Sequence, residues 1–244
     1  MLDTAIIPCG GLGRRLHPIT RWVPKEMLPV GLQPLLYRAL DEVAEAGLQR
    51  AILITTPSKP MLESAARQYQ GMLELEFIPQ DRPRGPGDAL LRARDHLGNA
   101  PFFILLPDNL LHGENQSRAV LDLHRRTRLA TVLLADAGTA LSCTRASTAA
   151  ADDGTLRVTD VVEVPRGTEG VMPVGRFALA GGMLDEFEEV SRTLAPGSEL
   201  TIAPALRRLA RRGALAGVRS TARFFDAGTP EGYHDAVRAF PARG

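Results

Sequence analysis

Short apolar runs, closed by glycine or proline, alternate along this chain with longer stretches that carry their apolar residues at helical spacing. Residues 5–9 (Ala-Ile-Ile-Pro-Cys) read as a buried strand. Residues 34–46 read as a helix, with Leu35, Leu36, Ala39, Leu40, Val43 and Ala44 on one stripe and Gly47 as its stop. A strand at 51–55, a helix at 62–69, a strand at 73–78 and a helix at 87–97 follow. Residues 101–106 form the most apolar run and are expected near the sheet centre. A helix at 117–128 and a buried strand at 130–135 come next, whereas 141–153, rich in Ser, Thr and Ala, shows no period. Residues 156–164 alternate like a half-buried strand, and 174–179 form a further one. Helices at 184–194, 204–212 and 231–240 complete the pattern, with an apolar strand ending at Phe225 before the last. Strand–helix alternation of this kind predicts an α/β domain with a largely parallel sheet, whose ligands bind at the carboxyl ends of the strands.

The 244 residues, 44% hydrophobic and 23% charged, suffice for one sizeable core, so a single domain over 1–244 is expected. A formal net charge of +1 gives no reason to expect nucleic acid or a membrane surface as partner. No apolar run reaches transmembrane length, and the N-terminus lacks the charged and apolar regions of a signal peptide. Cys9 and Cys143 are too few and too far apart for a disulfide framework, and the histidines form no ligand-spaced cluster. A reducing, cytoplasmic setting is therefore expected. The only lysines are Lys25 and Lys59. Where arginine fills nearly every basic position, a retained Lys25 suggests a need for a compact point charge. Lys59 reads as an ordinary helix-start residue.

The richest chemistry lies in residues 10–30, G-G-L-G-R-R-L-H-P-I-T-R-W-V-P-K-E-M-L-P-V. Gly10, Gly11 and Gly13 follow the first strand directly, and successive N–H groups in such a turn make a concavity for anions. Arg14 and Arg15 add guanidinium forks suited to phosphate, and Lys25 adds an ammonium. The dinucleotide fingerprint is excluded because Leu16 stands where its third glycine belongs, and no Gly-Lys-Ser/Thr of a Walker A loop occurs. A glycine turn alone is commonly just a connection; the long tail of charged and proline residues after it, Arg15, Pro18, Pro24, Lys25 and Glu26 among them, points to a triphosphate site. Gln80, at the end of the third strand, precedes Gly85 and Gly87, which let backbone approach a flat ligand. Asp108 follows the most apolar strand, where a carboxylate serves either as an Asx turn or as a ligand for a hard divalent cation. Asp226 likewise follows an apolar strand and precedes Gly228.

The stretch 10–30 closely resembles the signature of sugar-1-phosphate nucleotidyltransferases, and its P-K-E-M-L-P form looks most like that of bacterial UTP–glucose-1-phosphate uridylyltransferases. The likeness extends more weakly over nearly the whole chain. It implies a Rossmann-like, mixed but largely parallel sheet of the GT-A-like nucleotidyltransferase type. It also implies transfer of a nucleotidyl group from a nucleoside triphosphate to a sugar-1-phosphate, with release of pyrophosphate. By the same resemblance Gly10, Gly11 and Gly13 cradle the phosphates, Arg15 neutralises the departing pyrophosphate and Lys25 holds the α-phosphate. Gln80 and Gly85 belong to the pattern that cradles the base, and Asp108 and Asp226 share Mg²⁺. Glu163 matches the glutamate that holds sugar hydroxyls, and Gly175 the V-G-R segment beside the sugar.

Departures from the family pattern gather in the acceptor half. There no Tyr-Gly pair occurs near 141–144 and Ala203-Pro204 replaces a Thr-Asp pair, while in the base-cradling pattern Asp88 replaces a histidine. Val164 stands where the family carries the lysine for the sugar phosphate. Arg166 is the candidate substitute, sharing the face of Val164 if Pro165 leaves the strand intact. Two other readings stay open: transfer to a different acceptor, and a nucleotide- or nucleotide-sugar-binding protein with little turnover. The longer tail that many uridylyltransferases use in subunit contacts is lacking, and a homo-oligomer stays open.

Overall fold

The structure, a computed structural model, describes residues 2–136, 144–165 and 167–240. In chain order its elements are β1 (Thr4–Pro8), β2 (Pro29–Val30), β3 (Gln33–Pro34), α1 (Leu35–Glu45), β4 (Arg50–Thr55), α2 (Pro60–Ala66), β5 (Glu74–Pro79), α3 (Pro86–Arg92), α4 (Arg94–Leu97), β6 (Phe102–Leu105), β7 (Asn109–His112) and α5 (Gln116–Thr127). Then come β8 (Ala130–Asp136), β9 (Thr144–Ala150), β10 (Leu156–Glu163), β11 (Val171–Leu179), α6 (Leu184–Thr193), α7 (Ala203–Arg211), β12 (Leu215–Arg219), β13 (Arg223–Asp226) and α8 (Pro230–Ala239).

Nine strands form one sheet in the order β5-β4-β1-β6-β11-β8-β12-β10-β9. Strands β1, β4, β5 and β6 are mutually parallel, β8 and β12 run with them, and only β11 and β10 are reversed. This is the mixed, largely parallel sheet expected from the sequence. Successive residues of the interior strands point to opposite faces. Ile6, Ile52, Ile54 and Ile104 therefore pack under α3, α6 and α7, while Ile7, Leu53, Phe103 and Leu105 pack under α1, α2 and α5. Both faces being covered, these strands read as unbroken apolar runs.

The sheet strand β12 and the short strands β2, β3 and β7 were not expected from the sequence, and two further elements differ from expectation. The single helix expected at 87–97 is divided into α3 and α4 at Ala93, where the turn tightens and the Ala93 N–H reaches the Leu90 carbonyl. Strand β9 lies in the stretch that gave no period; it is the sheet edge, its outer residues are small and polar, and only β10 pairs with it. An edge strand with little to bury needs no apolar alternation.

A third, smaller apolar cluster lies outside the main sheet. Leu16, Leu28, Val30 and Leu35 pack there with Leu110 of β7, Phe225 of β13 and Ala236 of α8. It joins the glycine-rich loop segment to the antiparallel ribbon β7–β13. On the sheet side, β11 carries a bulge between Val174 and Phe177. Bulges re-aim side chains, and Arg176 is here turned into the interior, 2% exposed. Its guanidinium pairs with Glu42 of α1 and donates to the carbonyls of Leu106 and Asn109, on either side of Asp108.

Removing Arg176 alone strands a carboxylate and two carbonyls, a loss of about 3–5 kcal/mol for a buried pair. Arg176→Met should show that loss in urea unfolding. A change below about 1 kcal/mol would mean that Glu42 reaches solvent and that the pair does not hold the Asp108 loop.

Candidate active site

The carboxyl ends of β1, β5 and β6 open on a cavity of about 410 Å³ lined by Gly10, Gly11, Gly13, Arg15, Lys25, Gln80, Gly85, Asp108, Asn109 and Gly228, among others. The sequence had placed most of these residues in the site. Below the glycine turn lies a feature it had not: Lys59, 8% exposed, with Glu26, fully buried. Lys59 Nζ donates to the carbonyls of Cys9 at 2.8 Å and Gly11 at 2.5 Å, and to both carboxylate oxygens of Glu26 at 3.1 and 2.9 Å. All of its donors are engaged beneath the loop. Lys59 is thus no ordinary helix-start residue; it fixes the carbonyl side of the turn. Burial pushes the Glu26 carboxyl up, against the opposing charges of Lys59 and Lys25.

Lys25, one residue before Glu26, points the other way. Its Nζ lies 2.5 Å from Asp108 Oδ2. Burial disfavours the ammonium, but the charges of Asp108 and Glu26 outweigh it and raise the Lys25 pKa. The same attraction overcomes burial at Asp108 and holds its carboxyl below the usual range. Asp226 pairs with Arg15 at 3.3 Å and accepts from the Gly228 N–H at 3.1 Å. Burial and then the Asp108 charge push the Asp226 carboxyl up.

Although 118 positions apart in sequence, the two carboxylates meet because β7 and β13 pair with Asp226 opposite Asn109. The Ala227 N–H closes the ribbon on the Asp108 carbonyl at 2.8 Å. A side chain at Gly228 would strike Asp108 Oδ2 at 2.7 Å, Arg15 Nη2 at 2.9 Å and Asp226 Oδ1 at 3.1 Å. Both acids and a guanidinium therefore surround one point.

On the opposite wall stands Gln80, 2% exposed. A Cβ on Gly10 would lie 2.3 Å from its Oε1, so only glycine admits the amide here. Gln80 Nε2 donates to Asp88 Oδ2 at 2.7 Å and to the Gly85 carbonyl at 3.3 Å. Gly85 has φ +96°, and a Cβ there would meet the Leu200 carbonyl at 2.6 Å. The need for glycine at 85 thus comes from the Leu200 loop segment behind it, beside whatever approach of a ligand it allows. That segment carries Glu199 into the cavity wall, through Gly87 N–H to Leu200 O and Leu200 N–H to Arg84 O.

The acceptor-side candidates are less closely gathered. Gly175 lies in the β11 bulge; its N–H donates to Asn109 Oδ1 at 3.0 Å and its carbonyl accepts from Leu106. Glu163 is exposed at the end of β10 and does not line the cavity. Val164 follows it, half-buried. Arg166 lies outside the described residues. Arg176, the other arginine within reach in sequence, is fully committed to Glu42 and the Asp108 loop and is unavailable to an acceptor phosphate.

Residues 4–242 match the nucleotidyl transferase family. The chain belongs to that family. It is 27% identical to UTP–glucose-1-phosphate uridylyltransferase of Pseudomonas aeruginosa over 97% of this chain and 95% of that one. It is 32% identical to glucose-1-phosphate thymidylyltransferase of Actinoplanes sp. over 86% of this chain and 68% of that one. A crystal structure of UDP-glucose pyrophosphorylase complexed with UDP-glucose superposes with a TM-score of 0.86, at 26% identity and 98% coverage of both chains.

For a nucleotidyltransferase the missed residues have an intelligible role. Lys59 and Glu26 hold the glycine loop, and Asn109 ties the Asp108 turn to β11. One signal could have found Lys59: in a chain with only two lysines, both belong to this site. No group of three or more His, Cys, Asp or Glu among the described residues could hold a metal. Asp108 and Asp226 instead offer two hard oxygen donors, which fits a cation completed by water and phosphate oxygens, as Mg²⁺ commonly is.

Lys59→Met should leave Glu26 as a buried, unpaired acid and cost about 3–5 kcal/mol in urea unfolding. Glu26→Gln in the same chain should recover part of the loss. Equal stability of the single and double variants would show that Lys59 acts on the loop carbonyls and not on Glu26.

Proposed function

We propose that this nucleotidyltransferase transfers a uridylyl group from UTP to a sugar 1-phosphate, glucose 1-phosphate being the first candidate. The observation that carries the reading is the convergence of Lys25, Arg15, Asp108 and Asp226 beside the glycine turn, in one cavity with Gln80. Names of relatives support the acceptor and leave two bases in play, uracil and thymine.

In this reading an oxygen of the sugar phosphate attacks the α-phosphorus. A P–O bond forms as the bond to the β-phosphate oxygen breaks, and pyrophosphate leaves. Alignment and charge neutralisation supply the acceleration. Lys25 is the compact cation for the α-phosphate, already held by Asp108. Arg15, half-exposed at the cavity mouth, faces the departing pyrophosphate. N–H groups of the glycine turn, fixed by Lys59 behind them, face the triphosphate. Asp108 and Asp226 would hold Mg²⁺, which when bound supplies further neutralisation of phosphate charge. We place the reaction in the cytoplasm, where nucleoside triphosphates are made. No helix among the described residues is long and apolar enough to cross a membrane.

Pyrophosphate release, followed for UTP and dTTP against a panel of sugar 1-phosphates, tests the reading. Lys25→Ala should lower kcat by about 100-fold or more with the circular dichroism of the fold retained. Asp108→Asn should weaken Mg²⁺-dependent UTP binding in calorimetry. Absence of wild-type turnover with every sugar 1-phosphate tried, despite UTP binding, would overturn transfer in favour of a binding protein.

Val164 bears on the acceptor. If the sugar phosphate lies beside it, no ammonium is supplied there, and Val164→Lys should lower the acceptor KM by about 10- to 100-fold. An unchanged KM would put the acceptor phosphate elsewhere in the cavity.

A further inference from the structure

We propose that Asp88 is a positioning residue that locks the Gln80 amide with its oxygen towards the cavity, and so selects pyrimidine bases that present a ring N–H. The inference rests on the proposed nucleotide site and concerns how that site tells one base from another. An amide can sit in either of two orientations that differ only in which end is N and which is O. Here the surroundings decide. The buried end of the Gln80 amide faces two acceptors, Asp88 Oδ2 at 2.7 Å and the Gly85 carbonyl at 3.3 Å. Only the NH₂ end satisfies both. The reverse orientation would set an amide oxygen against a carboxylate and a carbonyl at the same time. Arg92 Nε stands behind Asp88 at 3.7 Å and pairs with the same carboxylate.

Oε1 is thereby left on the cavity side, over Gly10, and accepts no hydrogen bond from the described residues. It is a fixed acceptor in a wall that also includes Gly85, Pro86 and Ala89. Uracil and thymine carry N3–H on their pairing edge and can donate to it. Cytosine carries a lone pair at N3 and meets the amide oxygen acceptor to acceptor. A site built around one hydrogen bond rejects the analogue that leaves its buried group unpaired. The discrimination expected from one such bond in a nearly buried setting is about 10- to 100-fold.

Asp88 does not need to touch the nucleotide for this. It acts by removing the second amide orientation. With Asn at 88 the side chain can itself donate or accept, so Gln80 can turn its NH₂ towards the cavity and receive the N3 lone pair of cytosine. Asp88→Glu keeps a carboxylate acceptor and should restore the preference.

The test is calorimetric binding of UTP and CTP to wild type, Asp88→Asn and Asp88→Glu, with pyrophosphate release measured on the same preparations. Wild type should prefer UTP by about 10-fold or more. Asp88→Asn should bring the two affinities within about threefold, and Asp88→Glu should recover most of the difference. The ratio is read on folded, binding-competent protein, so a loss of stability at the start of α3 does not imitate the effect. The same UTP-to-CTP ratio in wild type and Asp88→Asn, or a wild type that prefers CTP, would overturn the inference. A preference that collapses in Asp88→Asn, with no pyrophosphate release from any variant, would sustain the role of Asp88 and count only against the transfer reaction.

Discussion

The shape of the cavity depends on a buried charge that lies beneath its glycine turn. Lys59 places an ammonium under the glycine turn, between two loop carbonyls and the Glu26 carboxylate. A turn that binds anions must aim its N–H groups one way, and its carbonyls then gather on the other side, where they need a donor. Water could provide one only if the underside of the loop were open. Because the underside is buried around Lys59 and Glu26, a side chain must do so, and a lysine has three donors for two carbonyls and a carboxylate. The adjacent Lys25 and Glu26 divide the two jobs between consecutive residues: Glu26 neutralises the cation below the loop, and Lys25 delivers one above it.

The wall bearing Asp108 and Asp226 follows a different logic. Burial, and then the charge of Asp108, raise the Asp226 carboxyl, so bringing the two acids together has an electrostatic cost. They are brought together by strand register, Asp226 opposite Asn109, and each is balanced by a cation from the glycine loop, Lys25 for one and Arg15 for the other. Three glycines meet three different steric demands around them. Gly10 admits Gln80, Gly85 admits the Leu200 backbone, and Gly228 leaves room between the acids.

Residues carried on the carboxyl ends of interior strands were legible from the sequence, because an apolar run followed by glycine, glutamine or aspartate announces both the strand and its exit. Gly10, Gln80, Asp108 and Asp226 all have that form. What could not be read were relations between distant segments. Lys59 looks like a helix start because locally it is one; its partners lie 33 and 48 or more positions away. Arg176 looks like a spare cation until the β11 bulge turns it inward. Strand β9 has no apolar pattern because it is an edge. The V-G-R segment and the glutamate at 163 were recognisable, but the sequence carries no sign of how far Glu163 stands from the cavity lining.

The small apolar cluster of Leu16, Leu28, Leu110, Phe225 and Ala236 gives the wall bearing Asp226 a core distinct from the two that clamp the sheet. Cooperative units of this kind open at free energies of their own, below that of global unfolding. The base wall, with Gln80 at the exit of β5, is anchored in the sheet cores, so the two sides of the cavity belong to different units. A separate core of this kind allows β7, β13 and α8 to open sub-globally with the nine-stranded sheet still folded. The wall bearing Asp226 can then loosen while the wall bearing Gln80 stays anchored to the sheet.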